Sequence, residues 1–295
     1  MKPPVSIKSK VLELRRSSSL REVAEQTGLP LGTVKTICSR SGAFRDNQKH
    51  RNLFTLPMIE PSTGAELALP EQQPQSVVTG DSDLDAVLWL REVIKTGRAV
   101  LIDKAMQAAQ RIKTPLKELE KRYSDYLMKK SPGNFMAALA SFGFADLDAL
   151  AQRSIQKLAL QTEATARFGK HLFADTPAEH FCMDALMGLK LDKMQSFNEG
   201  QVDKRFQAHP DLMPNTLGDC LHELAYWHEL YLLRHAHDGG DQGREAYARE
   251  CFVFRCLSHI RPKTKQESIA VFRYLADSER MDDTETNAIL LNLIG

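Results

Sequence analysis

Cysteine, aromatic residues and long apolar runs are all scarce in this chain. Its 295 residues include 5 Cys, and aromatic residues make up 7%. An odd, low number of cysteines in a chain of this length excludes a disulfide framework and indicates reduced thiols. No apolar run approaches the ~20 residues that a membrane helix needs, and the first residues lack the apolar core of a signal peptide. We therefore expect a soluble, cytoplasmic protein with no membrane partner.

The sequence motifs of the common enzyme classes are also missing. There is no Gly-x-x-x-x-Gly-Lys phosphate loop, no Gly-x-Gly-x-x-Gly turn and no Gly-x-Ser-x-Gly elbow. No pair of side chains stands out as nucleophile and base, and the acidic residues are spread over predicted helix surfaces. The sequence therefore predicts neither an enzyme nor a bound cofactor.

Charge is distributed unevenly along the chain, although the net charge is only +1. Residues 1–51 hold eleven Lys or Arg against four Asp or Glu, a net charge of +7. The remaining residues hold 28 basic and 34 acidic side chains, a net charge of −6. A basic N-terminal segment on a mildly acidic remainder indicates a module that binds a polyanion such as nucleic acid.

Two short helices are predicted in the basic segment. Ser19 and Glu22 have the spacing of a capping box at the start of the first, which Gly28 ends. Pro30 opens the second, which is predicted over 31–41. An amphipathic helix is also predicted over 5–17 and is expected to pack on this pair. Two short helices joined by a three-residue turn are typical of a helix-turn-helix.

The segment 20–39, LREVAEQTGLPLGTVKTICS, resembles the helix-turn-helix superfamily of DNA-binding domains. It is most similar to the region-4 type domain of bacterial sigma factors and to LuxR-type regulators. The matching residues are Gly28-Leu29-Pro30-Leu31-Gly32-Thr33-Val34-Lys35-Thr36. The resemblance covers only this segment. It implies that the helix over 31–41 enters the major groove of double-stranded DNA with its N-terminal part facing the base edges.

The predicted DNA contacts follow from assigning Val23, Leu29, Val34 and Ile37 to a small core. Lys35 and Arg40 then reach guanine or phosphate, and Thr36 meets a thymine methyl. The full set predicted on the second helix is Leu31, Gly32, Thr33, Lys35, Thr36, Ser39 and Arg40. The set predicted to contact phosphates is Lys8, Lys10, Arg15, Arg16, Arg21, Arg45, Lys49 and Arg51.

Beyond the basic segment the composition changes twice. Residues 55–82 are rich in Pro, Gln, Ser and Thr without a helical period, which predicts a linker. From residue 83 onward apolar residues recur three or four apart, and β-branched alternation is scarce. The predicted fold is all-α. It comprises a helix-turn-helix domain over 1–54, the linker over 55–82 and an α-helical domain over 83–295 that oligomerises or binds a partner.

A cluster of potential metal ligands lies in CLHELAYWHELYLLRHAHD, residues 220–238. His222 and His228 are six apart, which is not the spacing of the His-Glu-x-x-His zinc motif. Cys251 and Cys256 lack the Cys-x-x-Cys arrangement of structural zinc sites. We interpret the segment as an amphipathic helix with histidines on its wetter sides, and we predict no metal site.

These patterns favour a sequence-specific, DNA-binding transcription regulator of bacterial or mobile-element type. The alternative is a DNA-binding replication or packaging protein of a phage or plasmid, and a weaker third is an enzyme with a DNA-targeting module. Because a single small DNA-binding domain contacts few base pairs, we expect a homodimer or higher symmetric oligomer that assembles through residues 83–295. Apolar clusters near residues 88–102 and 289–294 are candidates for that interface or for ordinary core.

Overall fold

The protein is all-α, as the sequence predicts. The computed structural model describes residues 6–42, 44–60, 74–132, 134–237 and 239–294. These ranges contain no β-strand, only an isolated bridge between Leu191 and Phe197. Their α-helices are α1 (Ile7–Ser17), α2 (Leu20–Thr27), α3 (Leu31–Ser41), α4 (Gln48–Leu53), α5 (Ser82–Lys95), α6 (Ala99–Ala109), α7 (Leu116–Lys130), α8 (Leu147–Phe168), α9 (Pro177–Leu186), α10 (Glu199–Gln207), α11 (Leu217–Ala236), α12 (Arg244–Cys256), α13 (Lys265–Asp277) and α14 (Thr286–Ile294). None of the described helices combines the length and the apolar composition that crossing a membrane requires.

The chain divides into two compact units. Unit 1 consists of Met1–Pro57, Phe173–Leu232 and Gly240–Gly295, and unit 2 of Met58–Leu172 and Leu233–Gly239. The sequence predicts a separate N-terminal domain, but in the structure this segment belongs to the same unit as the C-terminal helices. The physical reason is α4, because His50 on this helix is buried against Glu223 of α11.

The first three helices form a small bundle, which we call the head (residues 6–42). Ser19 and Glu22 make both hydrogen bonds of the predicted capping box, at 2.7 and 3.2 Å. Gly28 ends α2 with φ of 69°, a conformation that favours glycine, and the chain turns directly into α3. Three valines of the head are fully buried, one from each helix: Val11, Val23 and Val34. Leu29 and Ile37 pack against them, as predicted.

The rest of unit 1 is built from α4, α9, α10, the part of α11 up to Leu232, and α12–α14. Helix α12 packs on α9 and α10, and α13 packs on α14. The largest fully buried apolar side chains here include Phe206, Trp227 and Leu257. These helices surround the buried partner of His50 and so hold α4 in place.

Unit 2 contains α5–α8 around two apolar clusters. Leu90, Ile94, Leu101 and Ile102 are buried in one cluster, with Trp89 packed against it, and Leu88 packs on the other. The apolar stretch near residues 88–102 is therefore core. Gly97 sits so close to α8 that a Cβ would lie 2.5 Å from the Ser154 carbonyl oxygen.

Several local features differ from the sequence prediction. Within the predicted α-helical domain, Phe135–Ser141 forms a 3-10 helix, and the sequence patterns do not mark α4 or α10 as separate helices. Residues 61–73 of the predicted linker lie outside the described residues. Residues 55–57 belong to unit 1, whereas Glu60 and Thr79 are tied within unit 2: Glu60 N donates to the Ala166 carbonyl (2.9 Å) and Thr79 Oγ1 to Asp85 (2.8 Å).

Candidate nucleic-acid interface

The outer face of α3 is polar and open. Burial of Val34 and partial burial of Ile37 fix the rotation of this helix, because those two side chains face α1 and α2. Leu31, the first residue of α3, is half-buried. The remaining residues predicted to contact bases are all exposed: Gly32, Thr33, Lys35, Thr36, Ser39 and Arg40. The structure thus brings the predicted base-contacting residues together on one side of a single helix.

This face has two flanks, because residues four apart lie one above the other on a helix. Thr36 and Arg40 form the first flank with Gly32, whose carbonyl accepts a hydrogen bond from Thr36 Oγ1 at 2.9 Å. Lys35 and Ser39 form the second, where Arg45 donates to Ser39 Oγ at 3.4 Å. The second flank borders a cleft that other parts of unit 1 line, and among the described residues Gly32, Thr36 and Arg40 are not part of that lining.

Some basic side chains of α1 and α2 are exposed, whereas others already make contacts within the protein. Lys8, Lys10 and Arg21 are exposed, as phosphate contacts require. Arg15 instead donates to the Ser18 carbonyl at 2.9 Å and stacks over Phe44, with 5.6 Å from guanidinium carbon to ring centroid. The backbone of Arg16 lies in α1, but its side chain falls outside the described part of the structure.

Two predicted phosphate contacts are engaged inside unit 1. Lys49 Nζ lies 2.9 Å from Asp211 in an exposed ion pair. Arg51 lies between two carboxylates, 3.0 Å from Asp46 and 2.7 Å from the buried Asp219. Because their charges are already paired, we interpret Arg51 as fastening α4 to the start of α11, and Lys49, to a lesser degree, as fastening it to the 3-10 turn at Pro210–Leu212. Phosphate binding would require breaking these pairs.

A network of buried charges lies below α4. Glu223 accepts from His50 Nε2 at 2.6 Å and from Arg249 at 2.7 and 2.9 Å. Trp227 Nε1 donates to the same carboxylate at 3.3 Å. The side chains of His50, Glu223 and Arg249 are all fully buried. The network therefore connects α4, α11 and α12.

The surroundings of Arg249 stabilise its charge. Its guanidinium carbon lies 4.9–5.6 Å from the ring centroids of four phenylalanines: Phe54, Phe181, Phe206 and Phe252. Burial alone would raise the pKa of Glu223, but the charge of Arg249 and the hydrogen bonds from His50 and Arg249 outweigh it and lower that pKa. The pair therefore stays ionised inside the protein.

The sequence motifs do not reveal the role of Arg249. The spacing of apolar residues around Arg249 could have indicated it. Ala246, Val253 and Cys256 lie three, four and seven residues from Arg249, on the same side of α12, and all three are buried. An arginine in the middle of such an apolar face must find a buried acid. Glu223, which the sequence placed among potential metal ligands, is that acid.

The remaining potential metal ligands do not assemble. Among the described residues there is no group of three or more His, Cys, Asp or Glu positioned to hold a metal ion. His222 is close to the carbonyl oxygen of Arg51 (3.2 Å), whereas His228 is exposed. Burial raises the pKa of Cys256 to about 12, which disfavours a thiolate ligand there. Asp238 lies outside the described residues.

Comparison with known proteins gives no match: no family model, no curated protein and no solved structure is similar to this chain.

Proposed function

We propose that the protein is a sequence-specific transcription regulator of bacterial or mobile-element type, which acts in the cytoplasm and reads double-stranded DNA with α3. The observation that carries the proposal is the exposed polar face of α3 on a head with its own valine core. A single exposed helix of this kind fits the major groove, about 12 Å wide, with its N-terminal part toward the bases.

The two flanks of α3 suggest different roles. Thr36 and Arg40 lie on the open flank and are assigned to base edges, where arginine pairs with guanine and the threonine methyl contacts thymine. Lys8, Lys10 and Arg21 are exposed on the same head and are assigned to phosphates, which provide affinity without sequence preference.

Selection of bound DNA from a random pool, using the full chain, tests this proposal. We expect one enriched motif. Arg40→Ala should then change the preferred base at one position, while Lys8→Ala should weaken binding to all sequences and lower the salt dependence by about one charge. Lys117→Ala, an exposed change in unit 2, is the matched control and should alter neither. Absence of any enriched motif, with affinity equal on all DNA, would refute sequence-specific binding.

The proposal includes a symmetric homo-oligomer formed through residues 83–295, because two heads read enough base pairs to exceed non-specific binding. Apolar side chains on α13 and α14 support it: Phe272 is 50%, Leu291 67% and Ile294 85% exposed. Because α4 fastens the head within unit 1, the oligomer and not a free linker must set the spacing of half-sites, about 34–36 Å for one helical turn.

Light scattering on the full chain tests the oligomer. We expect a dimer or larger species that becomes monomeric on Leu291→Glu combined with Ile294→Glu. The exposed change Val100→Glu in unit 2 serves as control, since this residue is 57% exposed outside α13 and α14. A monomeric wild-type protein at micromolar concentration would contradict the assembly and leave DNA binding by the head to be judged separately.

A further inference from the structure

A cleft of about 480 Å³ borders the second flank of α3. One wall comes from the head and the residues after it, including Lys35, Ser39 and Arg45. The other comes from two loops, residues 213–215 before α11 and 259–263 after α12, together with the last residues of α10 and α12. All of these residues belong to unit 1.

Hydrogen bonds fix one side of the cleft. The amide of Asn47 donates to the carbonyls of Asp211 and Met213, both at 2.9 Å, and so ties the segment after the head to the first loop. Asp219 accepts from the backbone N–H groups of Asn47 and Asn215, both at 3.0 Å. These bonds hold the segment after the head against the first of the two loops.

The charge of the lining has one sign. Five cationic side chains line the cleft: Arg15, Lys35, Arg45, Arg261 and Lys263. Of the residues the structure describes, no Asp or Glu is part of the lining. Glu22 lies outside the lining but interacts electrostatically with Arg261, so it partly offsets that one positive charge. The hydrogen bond from the Ser19 backbone is the main cause that lowers the pKa of Glu22, and Arg261 adds to it. An anion in the cleft would be attracted by at least four further charges.

The rest of the lining is largely apolar. It consists of Leu20, Cys38, Phe44, Met213, Pro214, Cys256 and Ile260, with Gln207, Asn215 and His259 as further polar groups. Small-molecule sites commonly have a volume of about 300–1,000 Å³, apolar walls and a few convergent polar groups. A bare inorganic ion would leave the apolar wall unused, and so would a DNA phosphodiester backbone.

We propose that this cleft binds a small organic anion with an apolar or aromatic body, and that its occupation weakens DNA binding by α3. The second half of the proposal rests on the proposed function. Lys35 and Ser39 belong both to the cleft and to the outer face of α3, so an anion bound there neutralises positive charge beside the DNA and occupies side chains on the reading helix. By linkage, DNA must weaken anion binding by the same factor.

The fluorescent anion 8-anilinonaphthalene-1-sulfonate is a suitable probe, and its neutral analogue N-phenyl-1-naphthylamine lacks only the sulfonate. We expect saturable binding of the anion to the full chain and at least tenfold weaker binding to the Arg261→Gln/Lys263→Gln double variant. Binding of the neutral analogue should change by less than twofold. Lys193→Gln/Lys204→Gln removes the same charge from exposed positions of unit 1 outside the cleft and should bind both probes as wild type does.

A second readout locates the bound probe. Cys38 lines the cleft and Cys251 does not, and both thiols are half-buried. Saturating anion should slow maleimide labelling of Cys38 several-fold and leave Cys251 unchanged, as measured by mass spectrometry. If Arg261→Gln/Lys263→Gln perturbs folding in circular dichroism, Lys263→Gln alone, at an exposed position, provides the same comparison.

Equal affinity of the anion for both double variants, or unprotected Cys38 at saturation, would overturn the cleft as the binding site. The coupling is tested by adding the anion to a complex of the protein with the selected DNA. The DNA affinity of the wild type should fall at least threefold, and the DNA affinity of Arg261→Gln/Lys263→Gln should not change. Unchanged DNA affinity at saturating anion overturns the coupling. Failure of the chain to bind any DNA instead overturns the proposed function and leaves the anion site standing.

Discussion

Replacing Arg249 by methionine should destabilise unit 1 strongly. Methionine retains much of the apolar volume but removes two hydrogen bonds to Glu223 and one to the Leu212 carbonyl at 2.9 Å. Glu223 would then remain fully buried, with His50 and Trp227 as its hydrogen-bond partners among the described residues. Breaking a buried ion pair in this way costs about 3–5 kcal/mol, because one charge is left without compensation. For a unit of this size that corresponds to a fall in Tm of roughly 6–20 °C.

Urea unfolding followed by tryptophan fluorescence measures this effect. The chain has 2 Trp, and a Trp89→Phe background leaves Trp227, which itself donates to Glu223, as the reporter. Arg244→Met, an exposed change on the same helix, is the matched control and should stay within about 0.5 kcal/mol. The double variant Glu223→Gln/Arg249→Met should be more stable than Arg249→Met alone, because it no longer buries an unpaired anion.

Two results would show that this reasoning is wrong. One is a free energy of unfolding for Arg249→Met that equals that of the Arg244→Met control. The other is a double variant no more stable than Arg249→Met, since the cost would then come from lost packing and not from the stranded carboxylate.

Three further predictions concern single positions. Gly97→Ala should destabilise unit 2 by about 2–4 kcal/mol, because φ is 69° and the new Cβ would meet the Ser154 carbonyl. Thermal unfolding measures this loss of stability, and a change below about 1 kcal/mol would contradict the close approach of Gly97 to α8. Val34→Asp should unfold the head by placing an unpartnered carboxylate in its core, a cost of about 3 kcal/mol or more, seen as fast amide exchange over residues 7–41; protected amides there would refute it. The pKa of Glu223 is lower in the folded state than in the unfolded chain, so its stabilisation is present above about pH 4.3 and is lost as pH falls through the folded-state value. The Tm of wild type should therefore fall more between pH 5 and 3 than that of Glu223→Gln, and parallel curves would contradict the assignment.

Local sequence signals predicted the head well. The capping box of Ser19 and Glu22, the turn at Gly28 and the core positions Val23 and Val34 all involve residues close in sequence. Each of them restricts the backbone or the buried face of its own helix, so reading along the chain is enough. The same holds for the long amphipathic helices of both units.

The features that the sequence did not predict depend on contacts between residues far apart along the chain. Helix α4 has six residues, QKHRNL, with no apolar period, and it is stable because His50 reaches Glu223, 173 positions away. Arg51 pairs with Asp219, 168 positions away, and Lys49 with Asp211, 162 positions away, so both residues looked free to bind phosphate. The cleft beside Lys35 also depends on loops more than 170 positions further along the chain.

The distance between His50 and its partners has a consequence for biosynthesis. The head needs only residues from Val11 to Cys38 for its core, so it is able to fold soon after it leaves the ribosome. Arg249 is made about 200 residues later than His50, a delay of roughly 10–40 s at common rates of translation. During that time His50 and Phe54 have no burial site. A nascent chain therefore displays a folded head on an unfastened α4, and an interrupted chain ending before α12 would keep that form.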